Sequence, residues 1–230
     1  MRGNNLNKNT SKNHSKGEVV SEVLSFLKRA LPFFIINQRT KEVILNNQIS
    51  KLLNKRSRKE AYEKKEALNF LFTPEFKSNT KNSGIVDLDV TIMNIDISTQ
   101  SEEDVNPFFT IECKRLRTPI SKSEQYVSGK TGGIERFKAN KHGIDLNGNL
   151  LKNNAMIGYV EDKDFKFWLA TINKWIDELI EKGKDGLKWL ADEKLKKESF
   201  DKIAVLKSKH LRSTKEIETV ELTHFWIKMA

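Results

Sequence analysis

The sequence predicts an α/β protein in which a central mixed β-sheet is flanked by helices. Three observations lead to this fold class: helical apolar spacing in the N-terminal part, alternating β-branched segments in the middle, and a long amphipathic helix followed by two strand-like runs. The 230 residues suffice for one domain, with or without a small appendage, whose core needs neither disulfides nor a structural metal.

Two helices are predicted before the first strand. Apolar residues recur at three- and four-residue spacing from Gly17, and Pro32 ends or kinks this helix. The same spacing between Val43 and Leu53 predicts the second helix, which continues into a run of charged residues. Residues 1–16 have almost no apolar content, which predicts a disordered basic tail.

Three strands are predicted in the middle of the chain. Residues 84–94 alternate strictly, so that Asp87 and Asp89 share one face, and residues 107–116 form a second alternating run. Residues 153–160 are apolar and predict a buried strand. The segment from Thr73 to Gly84 is expected to be a loop, and the polar segment between the last two strands is expected to hold a helix.

The C-terminal part predicts a long helix from about Asp164 to Lys182 and a short helix over residues 186–195. Two strand-like runs then form a terminal hairpin. We therefore divide the chain into the tail, a core over residues 17–162, and a helical and hairpin extension over residues 163–230 packed on that core.

The composition favours a soluble cytoplasmic protein. No signal peptide is recognisable at the N-terminus, and no apolar run approaches the roughly 20 residues of a membrane-spanning helix. The single cysteine, Cys113, excludes an internal disulfide and a cysteine zinc cage.

The excess of 41 Lys and Arg over 31 Asp and Glu gives a formal net charge of +10. Such a charge is typical of a nucleic-acid-binding protein, and it is equally compatible with a role in solubility alone. The same two interpretations apply to the basic run in the second helix, where Glu60 and Glu63 offer partial pairing. This run contains Lys55, Arg56, Arg58 and Lys59.

Candidate catalytic groups lie on the two alternating strands. Asp87 on the first strand and Glu112 on the second project from the same sheet face, and Lys114 follows Glu112 on that face. Two converging carboxylates repel each other unless a cation joins them. Mg²⁺ suits such a site because it prefers oxygen ligands, and the backbone carbonyl of Cys113 is a further candidate ligand. The chemistry that these groups suit is metal-assisted phosphodiester hydrolysis.

Residues 84–87 (Gly-Ile-Val-Asp) and 111–114 (Ile-Glu-Cys-Lys) resemble the PD-(D/E)xK nuclease superfamily, which has the restriction-endonuclease-like fold. The resemblance implies that Asp87 and Glu112 bind Mg²⁺, for which Mn²⁺ substitutes, and that Lys114 assists catalysis. It also implies a glutamate on the first core helix as a further ligand, for which Glu22 is the first choice and Glu18 the second. Asp89 repeats the geometry of Asp87, so the choice between them stays open.

Residues 126–160 are similar to a layout found in restriction-like nucleases of bacterial phage-defence loci. We therefore expect an endonuclease that acts on DNA as the effector of a restriction or anti-phage system, and further subunits of a defence complex or a homodimer are compatible with this role. Together with the basic run, Arg136, Lys138, Lys141 and the terminal hairpin are expected to contact phosphates. The alternatives are a non-catalytic module that binds nucleic acid or a partner on the same fold, and an RNase or nuclease subunit that is active only in a complex.

Overall fold

The computed structural model of the chain describes residues 15–35, 40–64, 68–78, 84–93, 106–119, 124–129, 131–183, 187–213 and 219–229. The predicted tail lies outside these residues except for Ser15 and Lys16, which begin the first helix. The Ser15 hydroxyl accepts the backbone N–H of Glu18, and the Glu18 carboxylate accepts the N–H of Ser15. This capping box satisfies two backbone donors at the start of the helix.

The described residues contain four α-helices and seven β-strands. Short 3-10 turns lie at Leu31–Phe33, at residues 124–126 and at Ala191–Glu193, and Pro32 lies in the turn that ends the first helix. In chain order, the elements are α1 (Lys16–Ala30), α2 (Glu42–Glu63), β1 (Phe70–Lys77), β2 (Ile85–Ile92), β3 (Phe109–Leu116), α3 (Gly133–Lys138), β4 (Asn153–Val160), α4 (Phe165–Lys182), β5 (Lys196–Phe200), β6 (Ile203–Leu211) and β7 (Thr219–Lys228).

All seven strands belong to one sheet in the order β1-β2-β3-β4-β7-β6-β5. Strands β3, β4 and β7 are parallel to one another, and the other neighbours are antiparallel. This arrangement confirms the predicted α/β class with a mixed sheet. The central strand β4 is buried on both faces, as its continuous apolar run predicts.

Helices cover both faces of the sheet. Helices α1 and α2 bury an apolar layer on one face, and α4 buries a second layer on the other face together with α3 and the residues around Trp189. Along β3, Phe109, Ile111 and Cys113 belong to the first layer, while Leu116 belongs to the second. The polar residues between them, Glu112 and Lys114, therefore face the side of α3 and α4. No helix in the described part of the chain is both long and apolar enough to span a membrane.

Two local predictions are wrong. Residues 73–77, expected to be part of a loop, belong to strand β1 (Phe70–Lys77), and Pro74 is tolerated there because β1 is the edge strand of the sheet. The segment expected to form a helix over residues 186–195 contains only the 3-10 turn among its described residues, and strand β5 follows it.

The predicted terminal hairpin is confirmed, since β6 and β7 pair along their full length from Leu211↔Thr219 to Ile203↔Ile227. Strand β7 also pairs in parallel with β4, from Asn153↔Glu221 to Val160↔Lys228. The C-terminal strands thus continue the same sheet that contains β2 and β3.

Lys138, which we expected to contact nucleic acid, is fully buried at the end of α3. Its ammonium group lies 2.6 and 2.8 Å from the two carboxylate oxygens of Glu193 and donates to the Leu211 carbonyl oxygen at 3.0 Å. Glu193 is buried as well and lies 3.6 Å from His210 Nδ1. Lys138 therefore links α3 to the 3-10 turn and to β6 and is not available to a ligand at the surface.

The substitution Lys138→Met should lower the free energy of unfolding by about 3–5 kcal/mol, because it leaves the charge of Glu193 buried without its main partner. Urea denaturation measures this change. The control is Lys141→Met, which removes an exposed lysine three residues away and should change the free energy by less than about 0.5 kcal/mol. Equal effects of the two substitutions would contradict the structural role of Lys138.

Candidate active site

Asp87 lies at the point where β2 separates from its neighbours. The β2–β3 ladder begins at Leu88, which pairs with Ile111, and does not include Asp87. The β1–β2 ladder also omits Asp87, opposite which Glu75 has a positive φ of 58°. The gap between β2 and β3 leaves backbone groups of β3 available to side chains.

The Asp87 carboxylate fills this gap. Its Oδ2 accepts the backbone N–H of Cys113 on β3 at 2.7 Å, and its Oδ1 accepts the Asn46 amide N–H on α2 at 2.8 Å. Tyr159 on β4 donates its hydroxyl hydrogen to Asn46 Oδ1 at 2.9 Å. Asn46 therefore ties the Asp87 carboxylate to α2 and to β4.

Glu112 and Lys114 form an ion pair on one face of β3. Glu112 is only 1% exposed, and its Oε1 lies 2.5 Å from Lys114 Nζ. Neither Glu112 oxygen has a well-aligned hydrogen-bond donor among the described residues. The contact is therefore mainly electrostatic, which makes it strong because both groups are largely removed from water.

His142 lies on the other side of the Glu112 carboxylate. Its buried ring places Nδ1 3.2 Å from Glu112 Oε2 and Nε2 3.3 Å from Arg136 Nη1. Arginine only donates hydrogen bonds, so Nε2 accepts, and the ring hydrogen on Nδ1 lies towards Glu112. Arg136 Nη1 also lies 3.6 Å from Glu112 Oε1. Three nitrogen-bearing side chains thus surround this carboxylate.

A third acid, Glu42, comes from the first residue of α2. Its half-buried carboxylate accepts the backbone N–H of Arg115. The Arg115 guanidinium binds the Glu161 carboxylate and donates to the Thr40 carbonyl oxygen at 2.8 Å. Arg115 thereby holds the start of α2 against β3 and keeps Glu42 beside the cluster.

The charges in the cluster act on one another. Burial raises the pKa of Asp87 well above its ordinary value, and the negative charge of Glu112 raises it further. Burial also opposes ionisation of Glu112, but the nearby His142 Nδ1 and the Lys114 charge outweigh it and lower the pKa of Glu112 to about 2. Burial lowers the pKa of Lys114, and the neighbouring carboxylates more than compensate, so that the pKa is raised. Glu112 and Lys114 are therefore both charged at neutral pH.

Asp89, the alternative to Asp87, lies outside this cluster. It pairs with Thr110 in the β2–β3 ladder and is 4% exposed. The Thr73 side chain hydrogen-bonds its carboxylate, whereas its Oδ1 has no hydrogen-bond partner among the described residues. Burial raises the pKa of Asp89 from 3.8 to about 6. The electrostatic partners of Glu112 and Lys114 are Asp87 and Glu42.

The cluster opens into a cleft of about 400 Å³ with a basic lining. Among the described residues that line it, four are cations and one is an acid, so the cleft suits a negatively charged ligand. The lining residues include Glu42, Lys114, Arg115, Arg117, Gln125, Thr131 and Arg136.

The structure does not bring every predicted site residue to this cleft. Glu22 is exposed on α1, and the acid beside the cluster is Glu42 on α2. On the outer face of α2, Lys55, Arg58 and Lys59 are exposed. Lys51 is exposed there too and lines a shallow groove with Lys55 and Arg58. We call Lys51, Lys55, Arg58 and Lys59 the basic stripe.

The remaining basic residues differ in exposure. Arg56 is half-buried, with its guanidinium carbon 3.7 Å from the centre of the Phe33 ring, and thus packs against the end of α1. Arg136 lines the cleft, and Lys141 is exposed on the loop after α3.

Sequence reasoning missed Glu42, Asn46 and His142. One signal for Asn46 exists, because it interrupts the buried stripe of α2 beside Leu45 and Ile49. A polar residue on a buried helix face commonly has a specific partner. Glu42 and His142 carry no such local signal, since their positions depend on how α2 and the loop after α3 meet β3.

The chain matches no model of a known protein family, and no curated protein or solved structure matches it at a significant level. Within the ranges that the structure describes, no group of three or more His, Cys, Asp or Glu side chains forms a ready metal-binding set.

Asp89→Asn should stabilise the protein at pH 7.5 by about 1–3 kcal/mol, because the folded state of the wild type bears the cost of a buried charge. Since the pKa of Asp89 is higher in the folded state, its penalty grows as the pH rises from about 4 to about 6. The gain should therefore vanish near pH 4. Urea denaturation at both pH values measures it, and a gain that does not change with pH would contradict this assignment.

Proposed function

We propose that the chain is a Mg²⁺-dependent nuclease that hydrolyses phosphodiester bonds in DNA, with Asp87 and Glu112 as acidic metal ligands and Lys114 as their cationic neighbour. The observation that carries the proposal is the electrostatic cluster of these three side chains beside a basic cleft that Lys114 lines. Phosphodiester backbones carry a negative charge at each linkage, which such a cleft attracts.

The donor set fits a hard divalent cation. Mg²⁺ commonly uses one or two carboxylates and completes its shell with water and substrate phosphates, so a set of three side-chain ligands is not required. The two buried oxygens of Glu112 have no well-aligned donor among the described residues, and the pKa of Asp87 is raised by burial and by the negative charge around it. A bound cation gives the Glu112 oxygens a partner and favours the ionised form of Asp87.

The Cys113 backbone supports a third ligand. Its N–H points to Asp87, and the N–H and C=O of one strand residue point to the same edge of that strand. Its carbonyl therefore faces the same gap between β2 and β3. When bound, the cation supplies Lewis-acid activation of water and neutralises charge that develops on the phosphate.

Lys114 acts as a cation in this proposal. Its raised pKa keeps the ammonium protonated at neutral pH, so it donates hydrogen bonds to a phosphate oxygen or an attacking water and does not serve as a general base. Arg136 and Arg117 line the same cleft and suit the flanking phosphates.

The order of elements supports the restriction-endonuclease-like fold that we propose for residues 17–162. The resemblance is based on the order helix, strand, strand, helix, strand. In the structure, β2 with Asp87, β3 with Glu112, α3 and β4 follow the N-terminal helices in this order, and β1 is an additional strand. A role in anti-phage defence, partner subunits and a dimer stay predictions from the sequence.

Asp87→Asn, Glu112→Gln and Lys114→Ala should each lower the rate of DNA cleavage by at least about 100-fold, because each removes a charge that the reaction uses. The measurement is cleavage of a labelled duplex with Mg²⁺, with EDTA and with an RNA duplex of the same sequence. Asp89→Asn is the matched control for Asp87→Asn, since it changes the same residue type two positions away on the same strand face. Cleavage that survives Lys114→Ala would contradict the mechanism.

Neutralising the basic stripe should weaken DNA binding without changing the cleavage rate of bound DNA. Lys55→Gln, Arg58→Gln and Lys59→Gln together should reduce the slope of log affinity against log salt by up to about 0.9 for each phosphate that the variant no longer neutralises. Filter binding across a salt series measures the slope. The control removes three exposed lysines from α4, Lys166, Lys174 and Lys182, and an equal effect there would show that only net charge matters.

One observation favours a second candidate, a non-catalytic module that binds nucleic acid. Both Asp87 oxygens already accept hydrogen bonds, and Lys114 already pairs with Glu112. A non-catalytic site can contain the same internal contacts. DNA binding that ignores EDTA and is unchanged in Glu112→Gln, with no cleavage of DNA or RNA, would establish this alternative.

A further inference from the structure

The two oxygens of Glu112 differ in their surroundings. Oε1 has two cationic neighbours, Lys114 at 2.5 Å and Arg136 at 3.6 Å. Oε2 instead faces His142, whose Nδ1 lies 3.2 Å away. Glu112 and His142 are both at most 1% exposed, so water does not readily replace this contact.

The His142 ring occupies space that Gly84 leaves free. A Cβ atom at Gly84 would lie 2.7 Å from His142 Nε2, which is too close for a real contact, and 3.0 Å from its Cδ2. The Gly84 backbone N–H also donates to the Lys141 carbonyl oxygen at 2.8 Å. Gly84 thereby fastens the loop after α3 to the start of β2 and admits the ring to the cluster.

Arg136 fixes the direction in which the ring hydrogen points. It donates to Nε2 from one side, which leaves Nδ1–H for Glu112 on the other side. Arg136, His142 and Glu112 thus form a short chain from the cleft lining to the buried carboxylate. Outer partners of this kind orient acidic ligands and tune their affinity for a metal.

We infer that His142 is a positioning residue that holds the Glu112 carboxylate in the orientation that binds the metal, and that Gly84 is required for His142 to reach it. The inference deepens the proposed function, because it takes Glu112 as a metal ligand.

The test compares the full-length wild type with His142→Ala and His142→Gln by calorimetric titration with Mn²⁺ alone, together with urea denaturation. His142→Ala should weaken Mn²⁺ binding by about 10–100-fold, and His142→Gln, whose amide can donate in place of Nδ1, should restore part of it. The matched control is His210→Ala, since His210 is also a fully buried histidine beside a buried glutamate. It lies on β6, three strands away from β3, and should lose stability without losing Mn²⁺ affinity.

A double-mutant cycle tests the role of Gly84. Gly84→Ala should weaken Mn²⁺ binding in the wild-type background, because its methyl group displaces the ring. In the His142→Ala background the added methyl group meets no ring, so Gly84→Ala should cause little further loss. Additive losses in the double mutant would overturn the assignment of Gly84.

The outcomes separate the two proposals. If the wild type binds Mn²⁺ and cleaves DNA but His142→Ala behaves like His210→Ala, the positioning role is wrong and the nuclease stands. If the wild type neither binds Mn²⁺ nor cleaves DNA or RNA, the nuclease proposal is wrong. Crystal structures of the wild type and of His142→Ala then test whether His142 orients the Glu112 carboxylate. A Glu112 carboxylate that keeps its orientation without His142 overturns that role, and one that rotates away supports it.

Discussion

The architecture of the cleft depends on keeping one carboxylate charged inside the protein. Glu112 is almost fully buried, which by itself opposes ionisation, yet its neighbours lower its pKa to about 2. Lys114 from the same strand and His142 from the loop after α3 lower the pKa, and Arg136 from α3 lies 3.6 Å from the same carboxylate. An isolated buried charge is too costly to persist, so these segments must be in place together. The position of the Glu112 carboxylate therefore depends on the folding of all three segments.

Strand β3 serves both the core and the cleft because its side chains alternate. One set, Phe109, Ile111 and Cys113, contributes to the apolar layer under α1 and α2, while Glu112 and Lys114 face the other side. The departure of β2 at Asp87 then leaves the Cys113 N–H for a carboxylate instead of a ladder partner. A local irregularity in strand pairing thus creates a polar site within an otherwise apolar sheet.

Much of this arrangement could be predicted from sequence, since alternation along a strand determines which side chains share a face. On β3 it places Glu112 and Lys114 on one face, opposite Ile111 and Cys113. The Asp87 carboxylate instead contacts Asn46 on α2 and the Cys113 N–H in the gap beside β3, which alternation does not predict. Local charge patterns were less informative: Lys138 belongs to a basic segment, yet tertiary contacts bury it against Glu193. Choosing Glu42 over Glu22 requires knowing which helix end meets β3. Strand β1 was missed because Pro74 argues against a strand everywhere except at a sheet edge.

The position of β7 has a consequence for how the molecule assembles. Strand β4, apolar on both faces, has β3 on one side and β7 on the other, and β7 follows it only after α4, β5 and β6. Until β7 pairs with β4, one edge of this apolar strand exposes unpaired backbone N–H and C=O groups. Pairing across such a separation in the chain is slow. A chain that ends before residue 219 therefore leaves this edge of β4 without its partner strand, which favours aggregation.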